Sequence, residues 1–280
     1  MMMKNKKYFE SEEDIIDSNL DLITDIEMFI ENDDISIYTN ALAKCKNLTT
    51  LRLDFDYDTY INEQTAEDLA SALGKCVKIQ SLALATNGIE IFEQTASPLA
   101  SAIANCSNLQ NLSLELDDSK INGESLSYFS SALQKCINIQ TLNISLRKNN
   151  LNDESALTIF CALSSCTNLK SLNLDFDSNF IGEKCLSGLG SSLAKCLNLS
   201  KFTFRISENQ IGDEISSLGQ ALQNCSNLQS LELFFNGDND ISEKNINGLG
   251  SALSKLNRLS TVLIYLEYED LFYIFKFQNN

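Results

Sequence analysis

The chain has 280 residues, a net charge of −17 and a pI of about 4.4, with 44% apolar and 21% charged residues, which describes a globular chain long enough to bury a sizeable core. Histidine is absent, so Ser-His-Asp and Cys-His catalytic pairs and imidazole-ligated zinc are excluded. The acidic balance works against phosphate backbones and anionic membrane surfaces, so neither nucleic acid nor membrane is an expected partner.

Residues 1–20, MMMKNKKYFESEEDIIDSNL, are acidic and lack a hydrophobic period, and they are expected to be disordered. The lysines near the start are not followed by an apolar run of the kind a secretory signal needs. No stretch approaches the roughly 20 apolar residues of a membrane span. Nine cysteines, an odd number, then fit reduced thiols, and the expected location is the cytoplasm, with the nucleus not excluded.

Residues 23–45, ITDIEMFIENDDISIYTNALAKC, read as a degenerate first unit, with Ile23, Ile26, Met28 and Ile30 for a strand and Ile35 and Leu42 for a helix. From there a phrase recurs: ALAKCKNLTTLRL at 41, AIANCSNLQNLSL at 102, ALQKCINIQTLNI at 132, ALSSCTNLKSLNL at 162 and ALQNCSNLQSLEL at 221. Its cysteine falls at Cys45, Cys76, Cys106, Cys136, Cys166, Cys196 and Cys225, with Leu256 in the eighth position. A fixed period near 30 is the mark of a solenoid, whose units bury apolar surface only by stacking.

Within each unit the period changes. Before Cys196, Leu186, Leu189 and Leu193 form a helical stripe. After Cys166, Leu169, Leu172, Leu174 and Phe176 end in the alternation of a strand, which turns Asn173, Asp175 and Asp177 to the opposite face. Asn47, Asn108, Asn138, Asn168, Asn198 and Asn227 stand two positions after the cysteine, and a left-handed conformation there would turn the chain into the strand. The cysteine itself reads as a small buried residue at the helix end, because leucine replaces it once and the thiols lie one per repeat.

The pattern LxxLxLxxxxNxI followed by LxxALxxCxNL, clearest in LKSLNLDFDSNFIGEKCLSGLGSSLAKCLNL at 169–199, resembles the leucine-rich repeats of ribonuclease-inhibitor-like proteins. It departs by two extra residues before Asn149/Leu151, Asn179/Ile181 and Asn209/Ile211. The resemblance implies an α/β horseshoe over residues 21–270, with a concave parallel sheet and convex helices, and the unbroken repeat phase predicts about eight or nine strands. It also implies a role in protein binding.

Three local features interrupt the pattern. Asp54, Asp56 and Asp58 alternate like the start of a calcium loop, but Thr59 and Thr65 stand where glycine and glutamate would be needed, so solvated strand is the better reading. Ser97 and Pro98 read as the N-cap and first residue of a late-starting helix. LFYIFKF at 271–277 reads as a C-terminal cap over residues 271–280, or else as a contact patch.

Reading across the strands gives an outward column of Asp54, Ala85, Glu115, Ser145, Asp175, Arg205, Phe234 and Tyr265, flanked by Asp56, Asp117, Arg147 and Asp177. Carboxylates that steer beside aromatics that anchor make a candidate binding face for a protein partner, possibly a basic one. No catalytic constellation, cofactor motif or metal-ligand spacing stands out. The expected function is therefore a non-enzymatic interaction scaffold. The alternative is a regulator of a partner enzyme such as a ribonuclease, small GTPase or protein kinase.

Overall fold

The computed structural model describes residues 6–9, 19–31, 35–212, 215–236, 241–268 and 271–277. The strands are β1 (Lys6–Phe9), β2 (Asp25–Ile30), β3 (Thr50–Phe55), β4 (Ser81–Ala85), β5 (Asn111–Glu115), β6 (Thr141–Ser145), β7 (Ser171–Asp175), β8 (Lys201–Arg205), β9 (Ser230–Phe234), β10 (Thr261–Tyr268) and β11 (Leu271–Phe277). The helices are α1 (Ser36–Leu42), α2 (Glu63–Leu73), α3 (Glu93–Asn105), α4 (Gly123–Lys135), α5 (Asp153–Leu163), α6 (Lys184–Leu193), α7 (Ile215–Leu222) and α8 (Glu243–Leu253). All eleven strands form one sheet in chain order.

Alternation decides which side of the sheet is covered. Leu172, Leu174 and Phe176 are at most 1% exposed, and their counterparts in neighbouring repeats are buried with them, against the helices. Strands pair at about 4.8 Å while packed helices need about 8–10 Å. A layer of each, linked repeat by repeat, must therefore curve with the strands inside, and this produces the horseshoe. In the middle of the core Phe160 meets Phe176 edge-on at 5.3 Å and Phe204 at 6.2 Å.

Two polar ladders run along the rims. At the end where strands begin, Asn108, Asn138, Asn168, Asn198 and Asn227 each donate a side-chain N–H to a main-chain carbonyl of the preceding repeat, at 2.7–3.2 Å. This corrects the expectation that the asparagines turn the chain through a left-handed conformation. The described non-glycine residues with positive φ are Asp118, Lys120, Lys148, Asn150, Ser178 and Glu208, all on the other rim. There they flank buried Ser119, Asn149, Asn179 and Asn209, whose hydrogen bonds offset the roughly 1–2 kcal/mol that each left-handed residue costs. Gly88, at φ 78°, takes the same place in the first of these turns.

The seven phase cysteines are buried. Several reach the preceding repeat: Cys76 Sγ lies 3.2 Å from the Leu42 carbonyl and Cys225 Sγ 3.4 Å from that of Leu193. Leu256 is buried in the eighth place. Burial pushes these thiols up, to about 11 for Cys106 and Cys196 and to about 12 for Cys166.

Two other expectations change, and the segment expected as a cap or contact patch takes on a defined element. Lys6–Phe9, inside the segment expected to be disordered, forms β1 in parallel register with β2, and Phe9, opposite Met28, is buried. A four-residue strand is too short to show a period amid so much charge. Residues 1–5 and 10–18 lie outside the described residues. Pro98 is interior to α3, not at its start, because burying Ala96, Leu99, Ala100 and Ile103 on one face outweighs the loss of one main-chain donor. The segment 271–277 is the strand β11, antiparallel to β10, and residues 278–280 lie outside the described residues. With β1 and β11 the sheet has two strands beyond the count the repeat markers imply.

Candidate functional site: the concave face

Hydrogen-bond register places the expected outward column in a single row. Asp54 pairs with Ala85, Ala85 with Glu115, Glu115 with Ser145, Ser145 with Asp175, Asp175 with Arg205, Arg205 with Phe234 and Phe234 with Tyr265. Phe29, half-exposed on β2, extends the row before Asp54. Two clusters form along it, with Ser145 between them.

The first cluster is organised by Arg52, a residue the sequence reading passed over. Its guanidinium donates to both oxygens of Glu115, at 2.9 and 3.2 Å, and to Asp54 Oδ2 at 3.1 and 3.3 Å, with Glu27 at 3.9 Å. Arg52 lies on β3 and Glu115 on β5, so the side chain crosses β4, where Ala83 and Ala85 face it. Small residues there leave the bridge room. The hydrogen bond from Arg52 holds the Glu115 carboxyl below its ordinary range. Ser113 Oγ donates to Glu115 at 3.2 Å and receives Asn143 Nδ2 at 2.7 Å, and Asn143 in turn receives Asn173. This polar chain links β3 to β7. Its members share the outward parity of Arg52, and that parity is the signal that would have found them.

The second cluster is a stack. Arg205 lies over the Phe234 ring at 3.8 Å from its centroid, and Phe234 is parallel to Tyr265 at 4.4 Å and 11°. Asp175 is 3.7 Å from Arg205 Nε on the other side. The cation is thus held between a carboxylate and an aromatic face. Burial, and then the neighbouring Asp177, push the Asp175 carboxyl up to about 6, against the hydrogen bond from Asp177 N and the charge of Arg147. Asp177 is also raised, chiefly by burial.

The flanking acids are partly structural. Asp117 Oδ1 accepts from Ser145 Oγ at 2.6 Å and from Arg147 N at 3.0 Å, Asp177 Oδ1 accepts from Ser207 N at 2.6 Å, and Asp56 Oδ1 accepts from Tyr57 N at 2.9 Å. Thr59, in the calcium-like stretch, is buried and donates to the Ile30 carbonyl. Among the described residues no group of three or more Cys, Asp or Glu side chains could hold a metal ion, and no helix is long and apolar enough to cross a membrane.

A sheet that is parallel and in chain order from β1 to β10, a helix returning across the outside in each repeat from β2 onward and a cross-repeat asparagine ladder together define an α/β solenoid of the leucine-rich-repeat class. No family model and no curated protein matches the sequence. Solved structures with a similar chain path include the actin-binding site 2 of leiomodin-1 (TM-score 0.43, 18% identity, over 56% of this chain and 86% of that one). A tropomodulin C-terminal domain from Caenorhabditis elegans has a TM-score of 0.42 at 15% identity, over 56% and 92%. An internalin from Listeria monocytogenes has a TM-score of 0.31 at 15% identity, over 81% and 77%.

Proposed function

We propose that the chain is a non-enzymatic protein-binding scaffold of the ribonuclease-inhibitor-like type, seating a protein partner on its concave face. One observation carries this reading: Asp54, Glu115, Asp175, Arg205, Phe234 and Tyr265 stand in one register on a sheet whose other face makes the core. Nothing in the packing of that core requires charged groups or ring faces there. Carboxylates outnumber arginines on this surface even with Arg52, Arg147 and Arg205 present, so the partner's matching patch is basic. Arg52 and Arg205 hold their carboxylates in place, so Asp54, Glu115 and Asp175 act as an ordered array, with Asp56, Asp117 and Asp177 on its border. Phe234 and Tyr265 supply the anchor.

The test is affinity purification with wild type, with a variant carrying Asp54→Ser, Asp175→Ser and Phe234→Ala, and with a helix-face variant as control. Ser145 already holds the same column in β6, so serine is compatible with the strand. Loss of the bound protein in the concave variant alone is the expected result. Binding abolished only by helix-face changes would overturn the assignment.

A further inference from the structure

One rim of the solenoid is free of carboxylates. The eight turns that carry the phase residues (44–49, 75–80, 105–110, 135–140, 165–170, 195–200, 224–229 and 255–260) hold nine of the chain's 21 lysines and arginines and none of its 38 aspartates and glutamates. Helix C-termini favour cations, which accounts for Lys44, Lys75, Lys135, Lys195 and Lys255, just before five of the eight phase residues. It does not account for Lys46, Lys78, Lys170 and Arg258, which follow the phase residue.

Nor does it account for a second feature of the same rim. The position after the phase residue holds Val77, Ile137 and Leu197 in alternate repeats, exposed to 64%, 58% and 59%. The intervening repeats hold Ser107, Thr167 and Ser226. Each apolar residue stands two places after an exposed lysine, Lys75, Lys135 or Lys195. None of these lysines is in an ion pair among the described residues.

On the same rim, over the turns from Asn108 to Asn198, lies an open trough of about 500 Å³ lined by Asn108, Gln110, Asn138, Gln140, Asn168, Lys170 and Asn198, without a carboxylate. Gln140 Oε1 accepts from Lys170 at 2.8 Å, which leaves its amide NH2 as a donor. The asparagine donors are committed to the preceding repeat, and for Asn108 and Asn168 the carbonyls they bind are those of Val77 and Ile137. Their carbonyl oxygens remain as acceptors.

We propose that this rim is a second binding site, for an extended acidic peptide segment of a partner protein that carries an apolar residue at every third position. The charge selects an anionic ligand and the amide trough suits a peptide main chain. The spacing selects the conformation. Successive turns are hydrogen-bonded to one another, as from Gln110 N to the Gln80 carbonyl at 2.8 Å, so two repeats advance at least about 10 Å, and a polyproline-II chain advances roughly 9 Å in three residues. An apolar side chain every third residue therefore meets Val77, Ile137 and Leu197 in turn while the residues between face the lysines.

Fluorescence anisotropy with a labelled twelve-residue Leu-Glu-Pro repeat tests this against a Leu-Lys-Pro repeat, an isomer with leucine at every fourth position and phosphatidylserine vesicles. The acidic repeat should bind saturably and weaken with salt. The triple change Val77→Ser, Ile137→Ser, Leu197→Thr introduces the residue types of the alternate repeats, which the fold already accommodates. That variant and Lys75→Gln, Lys135→Gln, Lys195→Gln should each weaken binding at least tenfold. Phe234→Ala with Tyr265→Ala should leave it unchanged, so this result is independent of the concave-face reading. Absence of saturable binding, equal affinity for the basic or re-spaced peptide, a preference for vesicles over peptide, or insensitivity to both triple variants would overturn the proposal.

Discussion

Asn179 accepts through Oδ1 the main-chain N–H of Asn149, the residue in its own position one repeat earlier, at 3.0 Å. The same oxygen takes Leu151 N at 2.9 Å, and Asn179 Nδ2 donates to the carbonyls of Leu146 and Phe176. Replacing Asn179 by alanine strands several buried main-chain groups at once, and each such group costs about 1–3 kcal/mol. Asn179→Ala should lower unfolding free energy by about 3 kcal/mol or more in urea titration. Asn149→Ser should cost less, because Ser119 fills the equivalent place with a hydrogen bond from its hydroxyl to the Thr86 carbonyl.

Where α6 crosses α7, a side chain at Gly190 would overlap Ala221 Cβ. Gly190→Ala should therefore destabilise by about 1–3 kcal/mol despite its better helix propensity. The double change with Ala221→Gly should recover part of that loss, and thermal unfolding of the four proteins gives the coupling.

The raised carboxyl of Asp175 makes a pH prediction. With the folded value about 6 against 3.8 for the free side chain, the native state binds the proton more tightly than the unfolded state. The resulting stability is present below the ordinary aspartate range and is lost as pH rises through about 6. Asp175→Asn keeps an acceptor for Asp177 N and removes the charge. It should be more stable than wild type at pH 7, with the gap closing toward pH 4. Glu115 has the opposite sign: its lowered pKa gives stability above the usual glutamate range that is lost at low pH. Glu115→Gln should therefore be destabilising at pH 7 and nearly neutral in acid. Denaturation midpoints measured from about pH 7 down to about pH 2 check both signs.

Cys161 is exposed, while the other eight thiols, Cys185 among them, are buried. A thiol reagent at pH 8 should label one site rapidly in the native protein and the other eight only after denaturation, because the reactive species is the thiolate. More than one fast site would contradict the packing assigned to the phase cysteines.

The repeat phase and strand alternation made the sheet, its direction and the row from Asp54 to Tyr265 legible, because both periods are written once per unit and reinforced by stacking. Arg52 was not legible as an organiser. Its contact with Glu115 spans 63 residues of sequence and depends on Ala83 and Ala85 being small on the strand between. The turn asparagines were legible as repeat markers but not in mechanism, since a hydrogen bond to the previous repeat and a left-handed backbone favour the same residue type. Pro98 misled because its local preference was outweighed by packing, and β1 was hidden because four residues carry too little pattern.

The Asn149–Asn179–Asn209 ladder has a mechanical consequence. Each asparagine clips its own turn to the one before it, so the middle of the array resists shear between neighbouring turns. Toward the N-terminal end the clip is a single threonine hydroxyl at Thr59, bonded to the Ile30 carbonyl, and at Ile89 there is no polar side chain to make one. Stretched from its two ends, the molecule should open between β2 and β5 before the clipped turns from Asn149 to Asn209 separate, so the Phe160–Phe176–Phe204 cluster should outlast the N-terminal repeats.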